Sequence, residues 1–192
     1  EYEHTDTPIT ITQPAKGKMI VAVSAPELEY TGRFGWMNDG GSTGWDLSSD
    51  TLKLSTVEFD VKASADSFYH VTMKRYSFGS SETIALDRAE KIKYTVTSRD
   101  SVLDLGNGYV IDKDSKFRGQ HVEIEIQIPI GKKIRFDESV NDKLNPVNVR
   151  VERGRRRNRV VNFDIESDYR SNRYRSGVDY IMDINGRLKD EN

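Results

Sequence analysis

Residues 121–130 read HVEIEIQIPI, and this stretch decides the fold. Every second residue from 122 onward is branched and apolar: Val122, Ile124, Ile126, Ile128 and Ile130. Glu123, Glu125 and Gln127 lie between them and are predicted to face water. Alternation with a period of two is typical of a half-buried β-strand. Pro129 lacks the N–H that a strand ladder needs, so it is expected to end the pairing.

Short apolar segments of the same kind lie on both sides of this strand. Turn signals separate several of them, such as Arg99-Asp100, Asn107-Gly108 and Gly131-Lys132. The pattern predicts strands over residues 9–12, 19–23, 52–61, 68–76, 93–97, 102–105, 109–111, 121–130, 133–136, 147–151, 160–165 and 178–182. One helix is predicted over residues 80–92, where Ser80 or Ser81 can cap its N-terminus.

Many short strands with one helix predict an all-β fold. Only 35% of the residues are hydrophobic and 31% are charged, so few residues are available for a thick core. This balance favours a β-solenoid-like stack of short strands, and a β-sandwich is the alternative. We expect a single β domain over residues 1–192, with a less regular part at 1–66 and a solenoid-like part at 67–192.

Composition sets several functions aside. Lys and Arg number 29 against 31 Asp and Glu, so bulk charge does not indicate nucleic-acid binding. The chain has no cysteine, which excludes disulfides and thiolate chemistry. No apolar run is long enough to span a bilayer. Because the chain starts at Glu1, we expect a processed or excised product whose membrane segments lie outside it.

Candidate catalytic groups are few. The three histidines, His4, His70 and His121, show no partner at metal-ligand spacing, and no Gly-x-Ser-x-Gly motif is present. Carboxylate pairs occur at predicted strand ends: Asp112 with Asp114, Asp137 with Glu138, and Asp164 with Glu166. Such pairs serve turns and solubility or, at the right separation, glycoside chemistry. The sequence predicts no catalytic residue, no cofactor and no metal ligand.

A contact surface is predicted from basic and aromatic residues. Residues 150–159 read RVERGRRRNR, a run that either grips phosphate or an acidic glycan or forms a solvated loop. Two tryptophans lie in a Gly-rich stretch at 31–50, where they either plug the core or mark a contact. The predicted contact residues are Arg153, Arg155, Arg156, Arg157, Tyr174, Trp36 and Trp45.

Four features in order carry a resemblance to a known family. Lys74-Arg75 ends a strand before a Ser/Gly turn and a helix bearing Arg88-Ala89-Glu90. DSVLDL at 100–105 then precedes KFRGQHVEIEIQIPIGKKI at 116–134, and YRSGVDYIMDINGRLKD closes the chain at 174–190. The segment from 69 to 137 resembles the C-terminal region of phage-shock-protein-C-like membrane proteins of Gram-negative bacteria, and 174–190 is loosely similar to its closing segment.

The resemblance implies a non-catalytic, adhesin-type, solenoid-like domain on the outer side of the inner membrane. It implies tethering by membrane segments absent from these residues, and it assigns no catalytic residue. We therefore expect a scaffold, adhesion or stress-sensing module that meets a protein partner in the cell envelope and binds no nucleic acid. A carbohydrate-active or carbohydrate-binding β-helix using strand-end carboxylates is the alternative.

Overall fold

The computed structural model describes residues 1–23, 51–54, 57–106, 109–112, 119–140 and 174–191. Within these ranges lie twelve strands, one α-helix and a 3-10 turn at Glu138–Val140. The strands are β1 (Tyr2–Ile9), β2 (Lys18–Ala22), β3 (Thr51–Leu54), β4 (Val57–Ala63), β5 (His70–Phe78), β6 (Val96–Arg99), β7 (Val102–Leu105), β8 (Tyr109–Asp112), β9 (His121–Ile128), β10 (Lys133–Phe136), β11 (Asp179–Met182) and β12 (Leu188–Asp190). The helix α1 spans Glu82–Glu90. The prediction of an all-β chain with one short helix is confirmed.

A four-stranded sheet is built around β9, in the order β1-β5-β9-β4. β9 pairs antiparallel with β5 and parallel with β4, and β1 pairs antiparallel with β5 at the edge. The alternating isoleucines of β9 are fully buried on the inner face of this sheet. The strand ends at Ile128, directly before Pro129, as the missing N–H of proline requires.

A six-stranded sheet lies on the other side of the core, in the order β12-β11-β10-β2-β7-β6. Its two central contacts, β10 with β2 and β2 with β7, are parallel, and the outer contacts are antiparallel. The turn at 129–132 carries the chain from β9 directly into β10. Strands β3 and β8 form a separate antiparallel pair.

The inner faces of the two large sheets share one hydrophobic core. The rings of Phe59 and Phe136, one from each sheet, meet edge to face with centroids 5.4 Å apart. Tyr69, only 3% exposed, lies directly before β5, and its hydroxyl is 2.8 Å from the carbonyl oxygens of both Gly17 and Lys133. This side chain therefore connects the two sheets at one end of the molecule.

The helix covers part of the inner face of β1 and β5. Ser81 caps it, since its hydroxyl accepts from the backbone N–H of Ile84, and Ala85 and Ala89 are fully buried. The Arg75 guanidinium donates to the carbonyl oxygens of Glu90 and Ile92, tying the end of the helix to β5. Of the two predicted capping residues, the structure shows Ser81 in this role.

Several strand predictions need correction. The first strand runs over residues 2–9 rather than 9–12, because the polar segment pairs along its whole length with β5. The segment predicted as one strand at 52–61 forms β3 and β4, which belong to different sheets. Strand β12 was not predicted. β1, β2 and β4, from the part at 1–66, share sheets with later strands. The predicted strands at 147–151 and 160–165 lie outside the described residues.

Candidate functional site

Five ring side chains form a cluster on the outer face of the four-stranded sheet, here called the aromatic patch. They are Tyr2, His4, Tyr76, Phe78 and His121. The strand register places Tyr2 opposite Phe78, and Tyr76 between His4 and His121. Since alternate residues of a strand share a face, this register gathers all five rings on one surface.

The rings of the aromatic patch contact one another. Tyr76 and His121 stack with centroids 4.4 Å apart and an angle of 3° between their planes. His4 covers Tyr76 from β1 at 4.9 Å, and Tyr2 meets Phe78 at 4.4 Å. The Tyr2 hydroxyl also lies 3.1 Å from Nε2 of His121. Tyr2 and Phe78 remain 43% and 48% exposed, so the patch is both ordered by its neighbours and open to solvent.

Gly119 packs against the Phe78 ring at the edge of this patch. Its φ is +64°, which favours glycine, and a Cβ there would lie 2.7 Å from Cδ2 of Phe78. The Phe78 ring thus rests directly against the backbone before β9. Any larger residue at 119 would displace that ring.

The electrostatics keep the core of the patch uncharged at neutral pH. Burial lowers the pKa of His121 to about 4, although its hydrogen bond with the carbonyl oxygen of Gly119 acts in the opposite direction. Burial, together with the nearby Glu123 carboxylate, raises the pKa of Tyr76 to about 12. Both rings are therefore neutral over the physiological range, and they present an apolar surface with polar edges.

An ion-pair cluster adjoins the patch on the same face. The Glu125 carboxylate is 2.8 Å from Nζ of Lys62 and 2.7 Å from Nζ of Lys74, and it accepts a hydrogen bond from Gln127. Burial raises the pKa of Glu125, but these three hydrogen bonds outweigh burial and bring it down to about 2. The prediction that Glu125 faces water is wrong, because lysines from both neighbouring strands cover it to 5% exposure.

Ser64, Asp66 and His70 come together in the turn before β5. The His70 ring is 2.9 Å from the Asp66 carboxylate, at a spacing of four residues that sequence reasoning did not recognise. The Ser64 hydroxyl donates to Asp66 rather than to the imidazole, and Asp66 also accepts from the backbone N–H of Phe68. A serine nucleophile needs its hydroxyl on the imidazole, so this arrangement stabilises a turn instead of activating the serine.

Of the predicted contact residues, the structure describes Tyr174. Its ring stacks on Phe136 at 5.3 Å and packs, partly buried, against the core. Whether Tyr174 also meets a partner stays a prediction. Arg153, Arg155, Arg156, Arg157, Trp36 and Trp45 lie outside the described residues.

Two carboxylates in the described residues stabilise turns, which is one of the two roles considered for strand-end carboxylates in the sequence analysis. Asp137 accepts from the backbone N–H of Ser139 at the start of the 3-10 turn, and hydrogen bonds with the Ser139 side chain and backbone lower its pKa. Asp183 likewise accepts from the backbone N–H groups of Asn185 and Arg187. The side chains of the other two predicted pairs are not among those described. The part of the chain that the structure describes holds no group of three metal-ligating side chains.

Sequence reasoning missed the aromatic patch. Tyr76 and Phe78 lie two residues apart, which is a signal for a shared strand face. Tyr2 and His4 fall in a segment that was not predicted as a strand, so their alignment with Tyr76 became visible only through the pairing of β1 with β5.

The fold and this surface define a class: an all-β domain of two large mixed sheets over one core, with an aromatic patch on the outer face of one sheet. The chain belongs to the toast-rack family found in some PspC proteins, whose family model matches residues 46–169. This confirms the predicted resemblance, and it places the chain among domains of membrane-associated envelope proteins. Searches of curated proteins and of solved structures return no match. Among the described residues no helix is long and apolar enough to cross a bilayer.

Proposed function

We propose that this chain is a non-catalytic binding module of a bacterial envelope protein and that the aromatic patch docks a protein partner. The observation that carries the proposal is the partly exposed ring cluster at the end of a well-paired sheet, with the neutral rings of Tyr76 and His121 at its centre. Family membership supports an envelope role. The periplasmic side of the inner membrane is the proposed compartment, with attachment through segments outside these residues.

The patch has the composition of a protein interface. Aromatic side chains are enriched at such interfaces, where a buried apolar centre is surrounded by polar groups. Here Tyr2 and Phe78 supply exposed ring surface, and the Lys74, Glu123 and Glu125 cluster lies alongside as a charged border. Because the rings already stack on one another, little side-chain freedom is lost when a partner binds.

A protein partner fits this surface better than a small molecule does. Small-ligand sites are concave and mostly apolar. The aromatic patch lies on the face of a sheet, and an open recess elsewhere among the described residues is lined largely by polar side chains, namely those of Arg135, Asp179 and Glu191. Carbohydrate binding is the second candidate, because exposed ring faces such as those of Tyr2 and Phe78 can stack on sugars.

We further propose that the two sheets form a short solenoid-like stack, with the β-sandwich as the alternative. Two passages of the chain support it: β1 leads into β2, and β9 leads into β10, each crossing from one large sheet to the other. The strands that receive the chain, β2 and β10, are parallel neighbours, as in successive coils. A stack of this kind offers a scaffold for the roles of adhesion or stress sensing.

Site-directed photocrosslinking tests the docking proposal. A photoreactive residue replaces Phe78 in the envelope-embedded protein, and the matched control carries it at Thr97, an exposed position on the six-stranded sheet. We expect one discrete protein adduct from position 78, lost when Tyr2→Ser is added, and none from position 97. Equal adducts at both positions would contradict the proposal, and a glycan adduct at 78 would favour the carbohydrate alternative.

A further inference from the structure

Three turns at the opposite end of the molecule each expose an apolar side chain. Phe68 lies in the turn before β5, Ile130 in the turn between β9 and β10, and Ile184 in the turn between β11 and β12. They are 55%, 47% and 78% exposed. We call the three turns, residues 64–69, 129–132 and 183–187, the turn end.

Backbone contacts hold these turns beside one another. The N–H of Gly131 donates to the carbonyl oxygen of Met182, and the N–H of Met182 donates to that of Lys132, at 2.8 and 2.9 Å. The N–H of Ser64 donates to Ile128, which links the first turn to the second. A Cβ on Gly186 would lie 3.6 Å from Cβ of Ala63, so the third turn also adjoins the first.

Basic side chains accompany the exposed apolar ones. Lys132 and Arg187 belong to the turn end, and Lys16 precedes Gly17, where a Cβ would lie 2.9 Å from Cδ of Lys132. All three cations are exposed, and none forms an ion pair with another described residue.

The acidic residues of this end are engaged locally. Asp66 accepts from Ser64 and from the N–H of Phe68 and contacts His70. Asp183 accepts two backbone N–H groups and pairs with Lys189 at 3.0 Å. The turn end therefore exposes apolar side chains and cations that form no ion pair with described residues. Its carboxylates, in contrast, are engaged in contacts within the fold.

We propose that the turn end contacts an anionic phospholipid bilayer. Apolar side chains that enter the headgroup boundary, together with nearby cations, are what binds a protein to the surface of an anionic membrane. The chemistry on the turns supplies both, since Phe68, Ile130 and Ile184 project beside Lys16, Lys132 and Arg187. The contact would orient the domain with its aromatic patch directed away from the lipid, because β5 runs from the turn end to the patch.

Complementary charge favours lipid over a second copy of the chain. Two copies docked through the same end would bring Lys16, Lys132 and Arg187 of one against those of the other, and like charges oppose that contact. An anionic headgroup layer relieves the same repulsion. The inference is independent of the docking proposal, since it uses other residues at the other end of the domain.

Vesicle flotation of the 192-residue chain tests this contact. The probes are vesicles of equal parts phosphatidylglycerol and phosphatidylcholine, and vesicles of phosphatidylcholine alone. We expect binding to the anionic vesicles that weakens with added salt, and a partition coefficient about tenfold lower for Ile184→Ser. Lys132→Gln should lower it about fivefold.

Matched variants outside the turn end control for general effects. Ile84→Ser removes an apolar side chain of 39% exposure from α1, and Lys93→Gln removes an exposed charge; both should bind as the unmodified chain does. Equal losses in Ile84→Ser and Ile184→Ser would overturn the proposal. So would absence of binding to anionic vesicles, or self-association of the chain that Ile184→Ser abolishes without any vesicle binding.

Discussion

The domain exposes apolar side chains at two opposite ends, but in different ways. At the aromatic patch, the rings lie on paired strands and stack on one another, with Tyr76 and His121 4.4 Å apart. At the turn end, Phe68, Ile130 and Ile184 lie on separate turns, and Ile184 is 78% exposed. The first surface is ordered by side-chain contacts, and the second is positioned by backbone hydrogen bonds.

The two ends therefore show two different ways in which a protein can expose apolar side chains to water. A preformed ring cluster suits a partner with a defined shape, because the ordering cost has already been met within the fold. Single exposed apolar side chains beside cations suit a lipid bilayer, because a fluid bilayer requires no shape complementarity. The two ends of one domain can therefore serve different contacts.

The largest effect is expected from the buried side chain at the turn end. Tyr69→Ala removes a ring that is 3% exposed and bridges both sheets, so the free energy of unfolding should fall by about 3–5 kcal/mol. The neighbouring Phe68→Ala, at 55% exposure, should change it by less than about 0.5 kcal/mol. Urea denaturation measures both. Similar losses in the two variants would show that Phe68 is part of the core.

Acid should weaken the charged border of the aromatic patch. The pKa of Glu125 is about 2 in the folded chain against its ordinary 4.5. Its stabilising effect is therefore complete above 4.5 and is lost as the pH falls toward 2, amounting to about 3 kcal/mol. In Glu125→Gln, the free energy of unfolding measured by urea denaturation should fall by about 3 kcal/mol less over this pH range than it does in the unmodified chain. Glu138→Gln, an exposed control, should behave as the unmodified chain; an unchanged profile in Glu125→Gln would refute the assignment.

Substituting one glycine of positive φ at each end allows the stability losses at the two ends to be compared directly. Gly119→Ala and Gly131→Ala both place a side chain in a left-handed conformation, at φ +64° and +80°, which costs about 1–2 kcal/mol in each. Gly119→Ala also brings Cβ within 2.7 Å of the Phe78 ring, whereas nothing lies within 4 Å at Gly131. Thermal or urea unfolding should show the larger loss for Gly119→Ala. Equal losses would mean that the Phe78 ring moves freely.

The smallest effect is a change in one titration. The ring protons of His121 should titrate by NMR with a midpoint near pH 4, since burial disfavours the charged form. Stability falls correspondingly as the pH drops from 6.5 to about 4, because the unfolded chain binds the proton first. Tyr2→Ala uncovers the ring, and the midpoint should rise toward 6.5, whereas Phe68→Ala should leave it unchanged. A midpoint that Tyr2→Ala does not move would show that Tyr2 contributes nothing to burying His121.

Elements with a local signal could be predicted from the sequence. The alternation in β9, the stop at Pro129 and the Ser81 cap depend on neighbouring residues alone, and the structure reproduces them. β1 could not be predicted, because its polar residues gain strand structure from pairing with β5. The short β12 depends in the same way on β11.

The candidate site depends on register between distant strands. Glu125 is buried by Lys62 and Lys74, which come from the two strands beside it and cannot be aligned from sequence spacing. Asp66 lies four residues before His70, but the two meet in a turn and not on a helix, so the spacing alone does not show that their side chains are in contact. The five rings of the patch likewise come from three strands.

Hydrogen–deuterium exchange with and without phosphatidylglycerol-containing vesicles tests the division between the two ends most directly. The account predicts slower exchange on vesicle addition in residues 64–69, 129–132 and 183–187, with no change in residues 1–4, 76–79 and 119–121. Protection of the aromatic patch by vesicles, or unchanged exchange throughout the turn end, would contradict it.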